Sequence, residues 1–243
     1  MKTRTAVILA GGLGTRLRSV VTDVPKPMAP IEGRPFLEYL LDYWIDQGIE
    51  RFILSVGYRG DVIVDHFGNG YRRVPIAYAF ESQPLGTGGG LLLALEHLTE
   101  GEESFLLLNG DTWFALDLMA FQQFAEQHRA GVCLALFRAS EADRYMGIDI
   151  DTDGHIHRFA SQRGQLGALA NGGVYWVRRT SLNHLDYQPG QVLSLEEQLL
   201  PKLMDNGTPL LGFETSGSFI DIGLPHDYHR AGALLPLPAI RYP

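Results

Sequence analysis

The chain has 243 residues, 45% of them apolar and 20% charged, with a formal net charge of −8 and a single cysteine. A chain of this length and balance buries a core without metal or disulfide staples. One cysteine excludes an internal disulfide framework, the acidic balance argues against a general nucleic-acid surface, and no apolar run approaches the roughly 18 residues of a membrane span. The first ten residues lack the apolar core of a signal peptide, so the expectation is a cytoplasmic protein without nucleic-acid or membrane partners. The sequence leaves open whether it forms a homodimer.

"RTAVILA" is a short β-branched run and reads as the first strand. "RPFLEYLLDYWIDQG" carries Phe36, Leu37, Leu40, Leu41 and Trp44 at helical spacing and closes at Gly48. "RFILSVG" is a second strand, "GDVIVDHFG" a short helix, and "VPIAYAF" a third strand. "GTGGGLLLALEHL" starts as a glycine loop and becomes a helix, and "SFLLLNGD" is a fourth strand ending in a polar corner. Strand–helix alternation of this kind predicts an α/β fold: a Rossmann-like, mostly parallel sheet flanked by helices. After the helix "DLMAFQQFAEQH" the pattern changes. "GVCLALF", "YMGIDID", "HIHRFA" and "GGVYWV" follow as strands with few helices between them, which predicts an added mixed or antiparallel layer. "SLEEQLLPKLMDNG" returns to helix, "PLLGFETSGSFIDIG" holds two short strands, "LPHDYHRAGALL" is a last helix, and the tail "PLPAIRYP" reads as irregular. Without linkers or repeats the chain reads as one domain, with a first half over 1–111 and a second over 112–243.

In open parallel sheets ligands bind beyond the carboxyl ends of the strands, and three motifs fall there. The first is "ILAGGLGTRLRSVVTDVPKPM". Gly11, Gly12 and Gly14 let backbone amides approach an anion, Arg16 supplies a forked donor, and Lys26 is a cation stiffened by Pro25 and Pro27. The spacing is not that of a P-loop. The second is "ESQPLGTGGGLLLAL", glycines at a helix start. The third is "LLLNGDTWF", where Asp111 just past a buried strand suits a hard cation. Cys133 lies in an apolar run and reads as buried. His155 and His157 alternate on a strand and His226 and His229 follow Asp221, an arrangement ordinary for solvated or capping histidines.

Together "LAGGLGTRL" and "VPKPM" resemble the signature of the sugar-nucleotide pyrophosphorylases, the nucleotidyltransferases that join a nucleoside triphosphate to a sugar 1-phosphate. The resemblance implies that Leu9, Gly11, Gly12, Gly14 and Thr15 wrap the nucleotide, and that Arg16 and Lys26 contact the reacting phosphates. It implies that Gln83 and the Gly88–Gly89 backbone lie near the base. It makes Asp111 and Asp221, the latter in "SFIDIGLPHDY", the ligands of Mg²⁺. Asn109, Gly147, Asn171 and Gly172 match sugar-side positions. Many relatives carry Glu-Lys after the strand matching "HIHRF", and that Lys holds the sugar phosphate. Here the chain reads "FASQRG", with Ser161 and Gln162 in those places and Arg163 one residue later to deliver the charge.

Within the family the run from Gly12 to Trp44 most resembles the guanylyltransferases that act on D-glycero-α-D-manno-heptose 1-phosphate, which implies GTP as the nucleotide. The resemblance covers most of the chain and is densest over 6–111, and it makes 1–111 the nucleotide-binding half and 112–243 the sugar-phosphate-binding half. Other readings stay open: a uridylyltransferase of the muramic acid recycling type, and a binding protein that keeps the pocket but lost the sugar-phosphate lysine. A dinucleotide-binding oxidoreductase would carry an acidic residue at the end of strand two, where this chain reads "SVGYRG".

Overall fold

The computed structural model of the chain describes residues 3–183, 185–188 and 190–236, and of 161–163 the backbone alone. Strand β1 (Thr5–Ala10) runs into the glycine loop, a 3₁₀ turn at Lys26–Met28, and a small ribbon of β2 (Pro30–Ile31) and β3 (Arg34–Pro35). Then come α1 (Phe36–Asp46), β4 (Arg51–Val56), α2 (Gly60–Phe67), β5 (Gly70–Tyr71), β6 (Val74–Phe80), α3 (Gly86–Ala94) and β7 (Ser104–Asn109). Beyond β8 (Thr112–Phe114) and α4 (Leu118–Gln127) lie β9 (Val132–Arg138), β10 (Met146–Ile150), β11 (Ile156–Arg163) and β12 (Leu169–Arg178). A π-helical turn at Leu195–Leu199 continues into α5 (Leu200–Asp205), followed by β13 (Leu210–Glu214), β14 (Phe219–Asp221) and α6 (Pro225–Arg230). The predicted irregular tail lies outside the described residues from 237 onward.

Among the described residues ten strands form one sheet. β1 pairs in parallel with β4 on one side and β7 on the other, and β6 pairs in parallel with β4. β12 joins β7 antiparallel, β9 joins β12 antiparallel, and β13 closes parallel to β9. The hairpin of β10 and β11 branches from β12 at Gly147 opposite Ala170. The later strands therefore extend the parallel sheet itself, with β12 and β11 running against it.

Alternation along β1 explains the layers. Ala6, Ile8 and Ala10 face a core shared with Phe36, Leu37, Leu40, Leu41 and Trp44 of α1 and Phe121 of α4. Val7 faces a second core with Leu91 of α3 and Leu200 and Leu203 of α5. The five α1 residues picked by their spacing are all buried. Burial of side chains this large contributes roughly 1.5–3 kcal/mol each.

The chain leaves β1 for β4 on one side, while β7 lies on the other. The connections after β1 and β7 thus diverge and open a crevice between the two strand ends, a topological switch point. One local feature departs from the sequence expectation. The glycines of "GTGGG" belong to the first turn of α3 and not to a loop before it. They are required because the turn presses on the backbone of residues 191–193. A β-carbon at Gly86 would lie 2.6 Å from the Leu193 carbonyl oxygen, and one at Gly89 would overlap the Gln191 carbonyl.

Candidate active site

A cleft of about 410 Å³ opens at the switch point. Its floor is the register pair Leu9 and Asn109, and the Gly110 amide donates to the Leu9 carbonyl at 3.0 Å. Leu9, Gly11, Gly12, Gly14, Thr15, Lys26, Asn109 and Asp111 all line it, so both sequence motifs at the ends of β1 and β7 meet there. Gly14 has φ +58°, and buried Leu17 anchors the loop that follows by donating its amide to the Gly14 carbonyl at 3.0 Å. Arg16 is exposed on that loop, near enough to Asp221 for its charge to be felt there.

Lys26 is held rather than free. Pro25 fixes the entry to the 3₁₀ turn, the Met28 amide closes on the Pro25 carbonyl at 2.8 Å, and Pro27 and Met28 are buried. The ammonium reaches across the crevice and ion-pairs with Asp111 Oδ2.

Asp221 comes from far along the chain, and a short ladder brings it in. β14 pairs antiparallel with β8, which sets Asp221 opposite Thr112, and the Ile222 amide donates to the Asp111 carbonyl at 3.0 Å. Phe114, at the other end of β8, packs edge-on against Phe219. Burial pushes the Asp221 carboxyl up, and the charge of Asp111 adds to that push. The Gly223 amide, Lys26 and Arg16 pull it partly back. The Gly223 amide donates to Asp221 Oδ1 at 2.6 Å.

Two neighbouring carboxylates, one strained by desolvation and by its partner's charge, fit a divalent cation: hard oxygen donors whose repulsion a metal would relieve. Among the described residues one group of three metal-ligating side chains lies close together, Asp151, Asp153 and His155. It is a solvated turn between β10 and β11. Asp151 Oδ1 accepts from the Asp153 and His155 amides at 2.9 and 2.8 Å, which gives the cluster a folding reason of its own.

Other sequence-predicted residues take different places. Gln83 is exposed. Gly88 and Gly89 are buried, and their amides donate to the Leu193 carbonyl at 2.8 and 3.1 Å, so Pro84, Gly86 and Thr87 form that wall of the cleft. Gly147 is buried in β10 beside Ala160 and Gly164. Gly172 is small because the Phe114 ring occupies the space a β-carbon would need. Asn171 Nδ2 donates to the Tyr175 hydroxyl at 2.6 Å. Arg163 ends β11 opposite Met146, and its side chain lies outside the described residues.

Sequence reasoning missed Glu81, the first residue past β6. It lines the cleft, its carboxylate lies directly over Gly11, and it accepts from Ser55 Oγ at 3.1 Å and the Leu85 amide at 3.0 Å. It stands in the quoted motif two positions before Gln83, and the end of the strand is the signal that could have singled it out. Tyr175 and Glu196 were missed as well. Tyr175 is fully buried, and burial, then the charge of Glu196, hold its phenol well above the ordinary range.

A model described as nucleotidyl transferase matches residues 5–236, and the chain belongs to that family. It is 39% identical over 226 residues to D-glycero-alpha-D-manno-heptose 1-phosphate guanylyltransferase of Aneurinibacillus thermoaerophilus, covering 93% of this chain and 96% of the relative. It is 36% identical over 225 residues to the protein of the same name from Campylobacter jejuni, with 93% and 97% covered. Among solved structures it is similar to HddC from Yersinia pseudotuberculosis, alone and complexed with GMP-PN. In both cases the TM-score is 0.82 at 35% identity, over 95% of this chain and 99% of that one. Close relatives are thus sugar-1-phosphate nucleotidyltransferases, as the glycine loop and the lysine between prolines imply. Among the described residues no helix is long and apolar enough to cross a membrane.

Proposed function

We propose that the protein transfers a guanylyl group from GTP to D-glycero-α-D-manno-heptose 1-phosphate, giving GDP-heptose and pyrophosphate. The observation that carries this reading is the meeting of Lys26 and Asp111 in the β1–β7 crevice, with Asp221 close enough to feel both charges. The names of the two relatives described above supply the substrate pair.

The reaction asks little covalent help of the protein. An oxygen of the sugar phosphate attacks the α-phosphorus, a P–O bond forms, and the bond to the β-phosphate oxygen breaks as pyrophosphate leaves. The enzyme must align two anions that repel each other and neutralise charge where it grows. Amides of the Gly11–Thr15 loop receive the triphosphate, and Arg16, exposed on the same loop, swings onto the leaving pyrophosphate. Lys26 exchanges Asp111 for a phosphate oxygen. Asp111 and Asp221 would hold Mg²⁺, which supplies Lewis-acid charge at the phosphates when bound. On the base side, the Glu81 carboxylate is an acceptor for the adjacent N1–H and N2–H₂ donors of guanine, a donor pair the other common bases lack.

Pyrophosphate release measured across four nucleoside triphosphates and a panel of sugar 1-phosphates tests the reading. Release with GTP and the heptose 1-phosphate supports it. Preference for UTP with another sugar phosphate, or no release with any pair, overturns it.

A further inference from the structure

A hydrogen-bond chain with every direction fixed runs behind the cleft. The Gly173 amide donates to Asn171 Oδ1 at 3.0 Å, which turns the Asn171 amide nitrogen toward Tyr175. That nitrogen donates to the Tyr175 hydroxyl, which therefore gives its own proton to Glu196 Oε1 at 3.1 Å. From the other wall the Leu195 amide donates to Thr87 Oγ1 at 2.9 Å, so the Thr87 hydroxyl proton goes to Glu196 Oε2 at 2.8 Å. Donors from β12 and from α3 both end on one half-buried carboxylate.

A carboxylate accepts at about four lone-pair positions, and the donors among the described residues leave the others open. Glu196 sits in the π-helical turn, a wide turn frequent at functional positions, with Ser194 capping it through Glu197 N at 3.1 Å. Its partner Thr87 lines the cleft. So does Asn109, which lies against Gly173 and whose buried Oδ1 has no hydrogen-bond partner among the described residues. The Thr87 wall of the cleft is therefore backed by a carboxylate acceptor, the complement of hydroxyl donors.

We propose that Glu196 is a sugar-specificity residue whose open lone pairs accept hydroxyl hydrogens of the sugar ring, with Thr87 and Tyr175 holding the carboxylate in place. This rests on the nucleotidyl-transfer reading above. The test is steady-state kinetics of Glu196→Gln and Tyr175→Phe with GTP and with heptose, mannose and glucose 1-phosphates. Glu196→Gln raises the KM for the heptose 1-phosphate by about tenfold or more, narrows the preference among the three sugars, and leaves the KM for GTP within about twofold. Tyr175→Phe shifts the same sugar KM in the same direction by less. Unchanged sugar KM and preference in Glu196→Gln overturn the proposal. So does a parallel rise of both KM values with a lowered melting temperature, which marks a purely structural brace. Calorimetric titration with the heptose 1-phosphate separates the two readings. If wild type binds the sugar phosphate but releases no pyrophosphate, transfer is refuted, and the affinity of Glu196→Gln alone decides the role of Glu196. If wild type does not bind it, both readings fall.

Discussion

Lys26 and Asp111 form an ion pair at a partly buried position in the crevice. The proposed reaction uses them separately, Lys26 for a phosphate oxygen and Asp111 for the cation. Removing such a contact costs on the order of 2–4 kcal/mol in the transition state. Lys26→Ala is therefore expected to lower kcat by about a hundredfold or more, and a rate near wild type would reject its role. Asp221 behaves differently. Its folded-state pKa is raised, so its ionisation stabilises the protein less than in the unfolded chain. The stability it contributes is present below the ordinary carboxylate range and is lost as pH rises through the raised value. Asp221→Asn is expected to raise the melting temperature at neutral pH while abolishing turnover, both read on one preparation. Glu81 tests base selection. Glu81→Gln replaces one of the two acceptor oxygens by a donor and should cut kcat/KM for GTP about tenfold to a hundredfold, with a smaller change for ATP, measured by pyrophosphate release.

At the scale of elements, two glycines with close neighbours separate function from folding. A β-carbon at Gly11 meets the far end of the Glu81 side chain, which can move aside, whereas one at Gly89 meets the Gln191 carbonyl and Leu85 Cβ, which cannot. Gly11→Ala should keep stability within about 1 kcal/mol and lose selectivity for GTP. Gly89→Ala should lose about 1–3 kcal/mol in urea unfolding through overpacking. The same contrast explains what could be read in advance. α1 was legible because a period of 3.6 repeats along it, and β1, β4 and β7 because each is an unbroken apolar run closed by a glycine or polar residue. β14 was legible as the second short strand of "PLLGFETSGSFIDIG", but three-residue β8 carries no period. Its pairing with β14 defines it, and that pairing is what unites Asp111 with Asp221. The α3 glycines read as a loop because their cause, the backbone of residues 191–193, lies far away in sequence. Glu81 was passed over because Gln83 was named from the resemblance, although the strand read in "VPIAYAF" already ended at Phe80, the residue before Glu81.

For the whole molecule, the sheet sets the site and a charge network helps hold its flank. Arg34 bonds Glu38 Oε2 at 2.5 Å, the Tyr71 hydroxyl at 2.8 Å and Asp42, while Arg72 reaches Asp42 and Asp46 at 2.9 and 2.8 Å. Together they tie α1 to β3, β5 and the turn into β6. Burial alone would push the Glu38 carboxyl up. Hydrogen bonds from Arg34 and His66, with their charges, outweigh it and hold the group below its usual range. Its stabilisation is present above the ordinary carboxylate pKa and is lost as pH falls through the lowered value. Unfolding followed against pH should show stability falling below about pH 4. Arg34→Ala should flatten that fall and remove about 1–3 kcal/mol at neutral pH, less than a fully buried pair because the groups stay partly wet.

The β1–β7 crevice as the place of transfer is tested most directly by a crystal structure of the protein soaked with Mg²⁺ and a non-hydrolysable GTP analogue. The triphosphate should lie along the Gly11–Thr15 loop beside Lys26, with the ion between Asp111 and Asp221 and the base toward Glu81. A nucleotide bound elsewhere, or an ion seated only in the Asp151 turn, would contradict it.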